Sequence, residues 1–419
     1  MTTRNMAGGL AQMLTQGQVY TPAPALWQAS FLGGALPGGI SFSRASSASY
    51  INASGVLASA GSNTARLGTS PTTLAARGLL IEGAGTNVQT YSYALNNWNT
   101  NAGATLNNAT VAPDGSNAYS VAFGANWASG LYRSALGLTN AAACTISGYF
   151  KYVGGDATVY FGGGNTVWGT GAQTASITFN SQTGAFMGAD AGVSSYSIMA
   201  AGNGWYRVAV TATLATGTTA DVIIFHGSGT AGESAAWGIM AETGSFAGSF
   251  ISTNSNTVTV SRAADVATIA TTLPALLFNA SEGTLFVEAE FLGLGSTSQP
   301  LLQLDDGTSA NKLVLTQSSG NLSALVTTAG VSKLNSTIAT SLATGTVYKA
   351  ALAYKANDFA ACAGGGTVAA AASGAVPGSL TTLRLGSNSS GSQFANAWLR
   401  RVAYYPRRLT NAELQTLTV

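Results

Sequence analysis

Short runs in which apolar and polar residues alternate recur along most of the chain. The clearest covers 283–291, and others lie at 145–152, 206–211 and 221–225. A period of two is typical of half-buried β-strands. Gly- and Asn-rich turns, such as Asn203-Gly204, separate the runs. Many short strands punctuated in this way predict an all-β fold built from jelly rolls or β-sandwiches.

Two segments depart from this pattern and predict helices. In residues 4–17, the side chains of Met6, Leu10, Met13 and Leu14 form one apolar stripe, although the Gly8-Gly9 pair weakens the helix. Such a stripe needs a partner surface, either on its own chain or on a neighbouring subunit. Near the other end, Thr410 and Glu413 have the spacing of a capping box before an apolar run, which predicts a short C-terminal helix.

The pattern divides the chain into four regions. Residues 1–41 combine the N-terminal helical segment with a Pro- and Gly-rich extended connector, and we interpret them as an attachment segment. Residues 42–87 form a β-rich linker region. Residues 88–262 and 263–419 each contain enough strands for one jelly roll. We therefore expect two jelly rolls in tandem, preceded by the attachment segment and closed by the short helix.

Composition excludes several classes of protein. Of 419 residues, 17 are Lys or Arg and 15 are Asp or Glu, which gives a net charge of +2. This weak balance argues against a nucleic-acid-binding protein, which usually has a clustered basic face. No run of about 18 apolar residues is present, so we expect no membrane insertion. The 37 aromatic residues argue against disorder.

The cysteine and histidine content limits metal chemistry. Cys144 and Cys362 are the two cysteines, and we interpret them as buried free thiols, with a disulfide or a reactive thiol as the alternative. With His226 as its one histidine, the chain lacks the residues for a Cys/His zinc site. Asp305-Asp306 is the one adjacent acidic pair, which fits a solvated turn better than a calcium site. We expect no metal and no cofactor.

Three phrases of the sequence carry more specific information. They are FSRAS with YINASGVL (42–46, 50–57), RGLLIE with TN (77–82, 86–87), and a stretch from Trp237 through SFI to SRAAD (249–251, 261–265). Together they resemble a segment of tailed-phage and prophage virion proteins, chiefly tail-fibre and minor tail proteins. In that family the segment precedes a jelly roll like a carbohydrate-binding module, and Trp98 to Gly115 looks like the opening of that module.

The last residues support a second resemblance. The segment 397–414, AWLRRVAYYPRRLTNAEL, is similar to the end of concanavalin-A-like or laminin-G-like jelly rolls, where a last strand is followed by a short helix. The resemblance covers residues 42–419. It implies a location on the exterior of a phage particle, a homotrimer, and attachment to other phage structural proteins through the N-terminal segment.

Aromatic residues are the best candidates for binding. Sugars stack on flat indole faces, and neighbouring polar side chains bond their hydroxyl groups. Trp127 and Trp168 lie in loop-like contexts rich in Gly, Asn and Ala, so we select them as glycan-binding candidates; core packing or a subunit contact is the alternative for each. Trp205 resembles a framework residue and is expected to be buried.

Catalytic readings have less support. Glu288 and Glu290 share one face of a strand and could form the acid pair of a glycosidase, but such pairs are common on exposed sheets. His226 would have to serve any Ser-His-Asp triad, and no nucleophile elbow accompanies it. The arginines around Tyr404-Tyr405 fit interface ion pairs better than nucleic acid; they are Arg400, Arg401, Arg407 and Arg408.

These observations lead to three hypotheses. The first is a non-enzymatic tail-fibre or baseplate adhesin that contacts host surface polysaccharide. The second is a capsid decoration or head-fibre protein anchored by its N-terminus. The third, with the least support, is a polysaccharide hydrolase.

Overall fold

The computed structural model describes residues 25, 27–169, 173–254, 259–276 and 278–419. The strands before residue 90 are β1 (Trp27–Ser30), β2 (Ser41–Ser43), β3 (Ala48–Ile51), β4 (Leu57–Ala60), β5 (Leu67–Thr69), β6 (Ala76–Ile81) and β7 (Gly85–Asn87). The next twelve are β8 (Asn99–Asn101), β9 (Thr105–Val111), β10 (Asn117–Phe123), β11 (Gly130–Leu136), β12 (Ala143–Gly155), β13 (Thr158–Trp168), β14 (Gln173–Asn180), β15 (Phe186–Ala189), β16 (Val193–Ala200), β17 (Trp205–Thr213), β18 (Thr219–His226) and β19 (Gly232–Thr243).

The remaining strands precede one α-helix at the C-terminus. They are β20 (Val260–Arg262), β21 (Val266–Ala270), β22 (Glu282–Phe291), β23 (Gln299–Asp305), β24 (Lys312–Ser318), β25 (Asn321–Thr328), β26 (Val331–Ala339), β27 (Val347–Lys355), β28 (Phe359–Ala363), β29 (Ala369–Ala371), β30 (Thr382–Leu385) and β31 (Ala397–Tyr405), followed by α1 (Asn411–Thr418). Single 3₁₀ turns lie at Leu95–Asn97 and Pro274–Leu276. The expected all-β fold with a short C-terminal helix is confirmed.

Strands β8 to β19 form the first sandwich, called sandwich I. One sheet has the order β16-β17-β12-β19-β10-β9 and the other β15-β14-β13-β18-β11-β8. The alternating strands direct one face of each sheet inward, and the two faces share a buried apolar core. At its centre, the Phe150 ring packs edge-on against Phe161 and Phe179, with centroids 4.7 and 5.3 Å away.

The second sandwich, called sandwich II, combines strands from both ends of the chain. One sheet has the order β29-β28-β27-β22-β31-β6-β5, with β1 also paired to β31, and the other has the order β2-β21-β30-β23-β24-β25-β26. The segments expected to form a connector (to residue 41) and a linker region (42–87) thus supply β1, β2, β5 and β6 to these sheets. Strand β5 pairs with the nearby β6, but β1, β2 and β6 pair with strands more than 200 residues away, a distance at which local patterns carry no information.

Two small sheets connect the sandwiches. The β3–β4 hairpin covers the outer face of the sandwich I sheet that contains β19, around an apolar cluster with Trp237 and Phe250. Strand β7 pairs with β20, so the chain enters and leaves sandwich I side by side. Sandwich I is therefore an insertion between strands of sandwich II.

The central strand β22 is covered on both faces. It was expected to be half-buried, yet eight of its ten residues are buried. One face belongs to the core of sandwich II, and the other contributes Phe286 to a cluster with Leu409 and Leu414 beneath α1. The Thr410–Glu413 capping box begins that helix, as predicted.

Three further expectations concern the cysteines, the N-terminal anchor residues and membrane insertion. Cys144 and Cys362 are free and buried, which confirms the prediction for both. The proposed anchor residues Met6, Leu10, Met13 and Leu14 lie outside the described residues. Within the described part of the chain, no helix is long and apolar enough to cross a membrane.

Candidate functional site

Trp127 projects from the loop that joins β10 to β11, which we call the platform loop (residues 124–129). With 68% of its surface exposed, it is the most exposed tryptophan among the described residues. The loop beneath it is held by internal hydrogen bonds. The Asn126 side chain accepts from the Ala128 N–H at 2.9 Å, and the Ser129 hydroxyl accepts from the Gly124 N–H at 2.8 Å. The ring is therefore presented to solvent from a braced turn.

A second loop supports the platform loop from the side. The carbonyl of Ser129 accepts from the His226 N–H at 2.8 Å, and Nδ1 of His226 accepts from the Gly229 N–H at 3.0 Å. Burial lowers the pKa of His226, against the opposing charge of Asp156, 3.7 Å from its Nε2. The imidazole thus stays neutral at physiological pH and keeps the Nδ1 acceptor that this loop needs. His226 has a bracing role here.

The other tryptophan candidate has a different environment. Trp168 is fully buried in the core of sandwich I, so its ring has no face open to a sugar. Its apparent loop context arises because five small or polar residues, 162–166, precede Val167 at the end of β13. Of the two possibilities given for Trp168, a sugar platform or core packing, the structure shows core packing. Trp205 is 2% exposed, which confirms the expectation of a buried framework residue.

The three phrases that carry the phage resemblance meet at one place. Arg44, Arg66, Glu82, Arg262 and Asp265 form a buried ion-pair network that we call the junction cluster. All except Arg66 come from those phrases.

Each acid of the junction cluster bridges two arginines. Asp265 bonds Arg44, 3.0 Å from its Nη1, and also Arg66. Glu82 bonds Arg66, 2.6 Å from its Nη1, and also Arg262. Burial alone would raise the pKa of the Glu82 carboxyl, but Arg262 and Arg66 hold it well below its usual range. The cluster thus places three guanidinium groups and two carboxyl groups together in the interior, where such groups require full pairing.

Glu242 lies beside this network with a different electrostatic state. It is 6% exposed at the end of β19, and one carboxylate oxygen accepts from the Gly248 N–H at 2.9 Å. Burial raises its pKa to about 7, because that hydrogen bond and the charges of Arg207 and Arg262 only partly compensate for the lost hydration. Two neighbouring carboxyl groups, Glu82 and Glu242, thus have pKa values shifted in opposite directions.

Glu242 and Arg262 line a cavity of about 640 Å³ between the two sandwiches, which we call the junction cleft. Sandwich I contributes 142–143 and 242–248 to its walls, and sandwich II contributes 295–299 and 391–396. Ligand sites are common at such junctions. The sequence alone does not reveal this site, because its residues come from six separate stretches of the chain. The one available signal is the concentration of charge within the three phrases of a chain with few charges.

The remaining candidates are held in ion pairs within the chain. Glu288 pairs with Arg400 at 2.9 Å, and Glu290 pairs with Arg77. Because each acid faces a guanidinium, this pair lacks the free carboxyl groups that a glycosidase requires.

The C-terminal arginines and the acids of the 305–306 turn also make their contacts within the chain. Arg407 pairs with Glu413 and Arg408 with Asp358, while Arg401 lies over the Phe286 ring at 4.6 Å. These contacts are intramolecular, whereas interface pairs were expected. Asp305 is fully buried against Arg384, and Asp306 accepts from the Thr308 N–H in an exposed turn. Among the described residues, no group of three or more His, Cys, Asp or Glu could hold a metal ion.

Comparisons with known proteins give limited similarity. No family model matches the chain, and no curated protein sequence matches it. Among solved structures, the CBM40 domain of the Ruminococcus gnavus IT-sialidase bound to α2,3-sialyllactose matches with a TM-score of 0.30 and 17% identity, over 35% of this chain and 89% of that one. The NanB sialidase of Streptococcus pneumoniae matches with a TM-score of 0.31 and 14% identity, over 36% of this chain and 26% of that one.

A sialidase of Trypanosoma rangeli matches at a similar level, with a TM-score of 0.30 and 18% identity, over 36% of this chain and 26% of that one. The chain thus spans about a quarter of the length of these two enzymes. TM-scores near 0.3 with such identities show no family membership.

Proposed function

We propose that this chain is a non-enzymatic structural protein on the exterior of a phage particle, and that it binds host surface polysaccharide as a tail-fibre or baseplate adhesin. The observation that carries the proposal is the exposed indole of Trp127 on its braced loop. A flat aromatic face held in place by a rigid scaffold binds sugar rings without the cost of ordering a mobile loop.

The virion setting is part of the same proposal. It is supported by the resemblance of the three phrases, which contribute Arg44, Glu82, Arg262 and Asp265 to the junction cluster. In this proposal the chain acts as a homotrimer and attaches to other phage structural proteins through residues 1–41. Immunolabelling of intact particles tests the location: label at the tail tip agrees with an adhesin, whereas label over the head would favour capsid decoration.

Binding is tested by replacing Trp127. We expect Trp127→Ala to lose roughly tenfold in affinity for host polysaccharide, about 1.4 kcal/mol, which is the upper range for one aromatic contact. Trp127→Phe keeps a flat ring and should retain part of the affinity. Isothermal titration calorimetry of the three proteins measures the difference.

The matched control is Val111→Ala, because Val111 is 62% exposed on the same sandwich but lies on edge strand β9. It should bind as the unmodified protein does. Equal binding by Trp127→Ala would contradict the proposed site, and release of reducing sugars from the polysaccharide would contradict the non-enzymatic role.

A further inference from the structure

The junction cleft has the size and position of a ligand site. Its volume of about 640 Å³ lies within the usual range of about 300–1,000 Å³ for pockets that enclose small ligands. Buried groups form its floor, and the exposed residues Ser296, Thr297 and Ser392 form its rim. Both sandwiches contribute walls, and the ion pairs of the junction cluster join the segments that connect them.

One polar side chain in the wall of the cleft has few partners. Glu242 is 6% exposed, and the hydrogen bond from the Gly248 N–H to one of its carboxyl oxygens, at 2.9 Å, is the one shown for that carboxyl group within the described residues. A buried polar group with an incomplete set of hydrogen bonds is costly. A carboxyl group that lines a cavity in this state favours an occupant that offers hydroxyl donors.

The rest of the lining narrows the chemistry of that occupant. It consists of hydroxyl and amide side chains, glycines, and the two aromatic rings of Phe246 and Phe394. Glu82 and Glu242 on the floor oppose a bound anion. The absence of a third potential metal ligand among the described residues opposes a bound divalent cation.

We propose that the junction cleft binds a neutral, polyhydroxylated ligand, namely one or a few uncharged sugar rings, through Glu242 and the hydroxyl-lined rim. Sugar hydroxyl groups both donate and accept hydrogen bonds, so one ring bonds the Glu242 carboxyl group and the hydroxyl groups of the rim together. This inference adds a second site to the proposed glycan binding and rests on that function for the class of ligand. The residues of the junction cleft are separate from Trp127, so the two sites are tested independently.

The test uses the full chain and short, free, neutral oligosaccharides: maltotriose, cellotriose and chitotriose. Saturation-transfer NMR detects which of them binds, and titration gives its dissociation constant. Ser392→Trp places a large side chain at the exposed mouth without touching the buried floor, and should weaken binding at least tenfold. Glu242→Gln keeps the shape of the side chain and removes the carboxylate acceptor, and should weaken binding severalfold. Glu288→Gln, an acid already held by Arg400, is the control.

The outcomes separate this site from the platform loop. Binding that Ser392→Trp loses and that Trp127→Ala retains supports the junction cleft. Failure of all three oligosaccharides to bind the unmodified protein overturns it, as does binding that Ser392→Trp leaves unchanged. If Glu242→Gln fails to fold in a thermal melt, Ser392→Trp still decides the result. Loss of polysaccharide binding in Trp127→Ala reports on the proposed function alone.

Discussion

At the scale of single residues, the junction cluster shows what the sequence could and could not reveal. The phrases that contain Arg44, Glu82, Arg262 and Asp265 were visible as motifs, but their partners were not. Arg44 and Asp265 are separated by 221 positions, and no local pattern predicts a contact at that distance. Trp127 and Trp168 were both selected from local contexts rich in small and polar residues. Those contexts do not distinguish them: Trp127 is 68% exposed, whereas Trp168 is fully buried.

The first residue-scale prediction concerns Glu82. Replacing it in Glu82→Gln leaves Arg66 and Arg262 without their shared anion in the interior. Breaking a buried pair in this way costs about 3–5 kcal/mol, so we expect the free energy of unfolding to fall by that amount in urea titrations. The control Glu288→Gln breaks a more exposed pair, with 17% side-chain exposure, and should cost under about 1 kcal/mol. Equal losses would contradict the structural role of the junction cluster.

The raised pKa of Glu242 predicts how the stability of the protein depends on pH. Its pKa is raised to about 7 in the folded state, from 4.5 for an ordinary glutamate. The folded protein therefore binds the proton more tightly than the unfolded chain, and this contribution to stability falls as the pH rises from about 4.5 to about 7, by up to about 3 kcal/mol. Glu82 acts in the opposite direction: its lowered pKa stabilises the fold at neutral pH, and that stabilisation is lost in strong acid.

Urea titrations at about pH 5 and about pH 8 measure the effect. Glu242→Gln should remove the fall in stability between the two pH values, and Glu288→Gln should leave that fall unchanged. The lowered pKa of His226 contributes in the opposite direction, because the folded protein loses stability as this group is protonated at lower pH. A fall in stability that survives in Glu242→Gln would contradict the role of Glu242.

At the scale of elements, the hydrophobic pattern predicted those strands and helices that local sequence determines. The alternating runs at 206–211 and 221–225 lie within β17 and β18, and the capping box begins α1. The edge strands β15 and β16 were not predicted, because their half-exposed sequences alternate poorly. The sequence also did not predict that both faces of β22 are buried. The second face is covered by α1 and by arginines more than 100 residues away along the chain.

The edge strands of sandwich I make an element-scale prediction. Its two sheets end on one flank in β15 and β16, which carry no charged residue and expose Met187, Met199 and a stacked pair, Phe186 and Tyr196, whose centroids are 4.2 Å apart. Uncharged edges with apolar side chains favour pairing between chains. If the proposed homotrimer uses this flank, the double variant Met187→Lys/Met199→Lys should shift it toward monomer in sedimentation experiments.

The matched control is Val331→Lys. Val331 is 56% exposed on β26, the edge strand of sandwich II, which already carries Lys333. This variant should sediment as the unmodified protein does. A double variant that remains trimeric would exclude the flank as the contact between copies.

At the scale of the whole molecule, we predict that the N-terminal segment is separable from the folded body. Strand β1 pairs with β31 from Trp27 onward, so the described contacts of sandwich II begin after residue 24. We expect deletion of residues 1–20 to leave the melting temperature unchanged within about 2 °C, which is no more than the shift of about 2–4 °C that a loss of 1 kcal/mol produces in a domain of about 150–250 residues. The same deletion should abolish incorporation into phage particles. A truncated chain that still assembles would contradict the anchor.

The side-by-side pairing of β7 with β20 has a consequence for how such a molecule can change. Everything from Val88 to Asn254 leaves sandwich II and returns to it across a ladder of three residue pairs. A segment whose two ends are adjacent can be cut out and replaced by another without moving the strands on either side. Recombination between related genes at these two points would exchange the Trp127-bearing module as a unit. Under the proposed function, such an exchange would change the binding specificity while sandwich II stays the same.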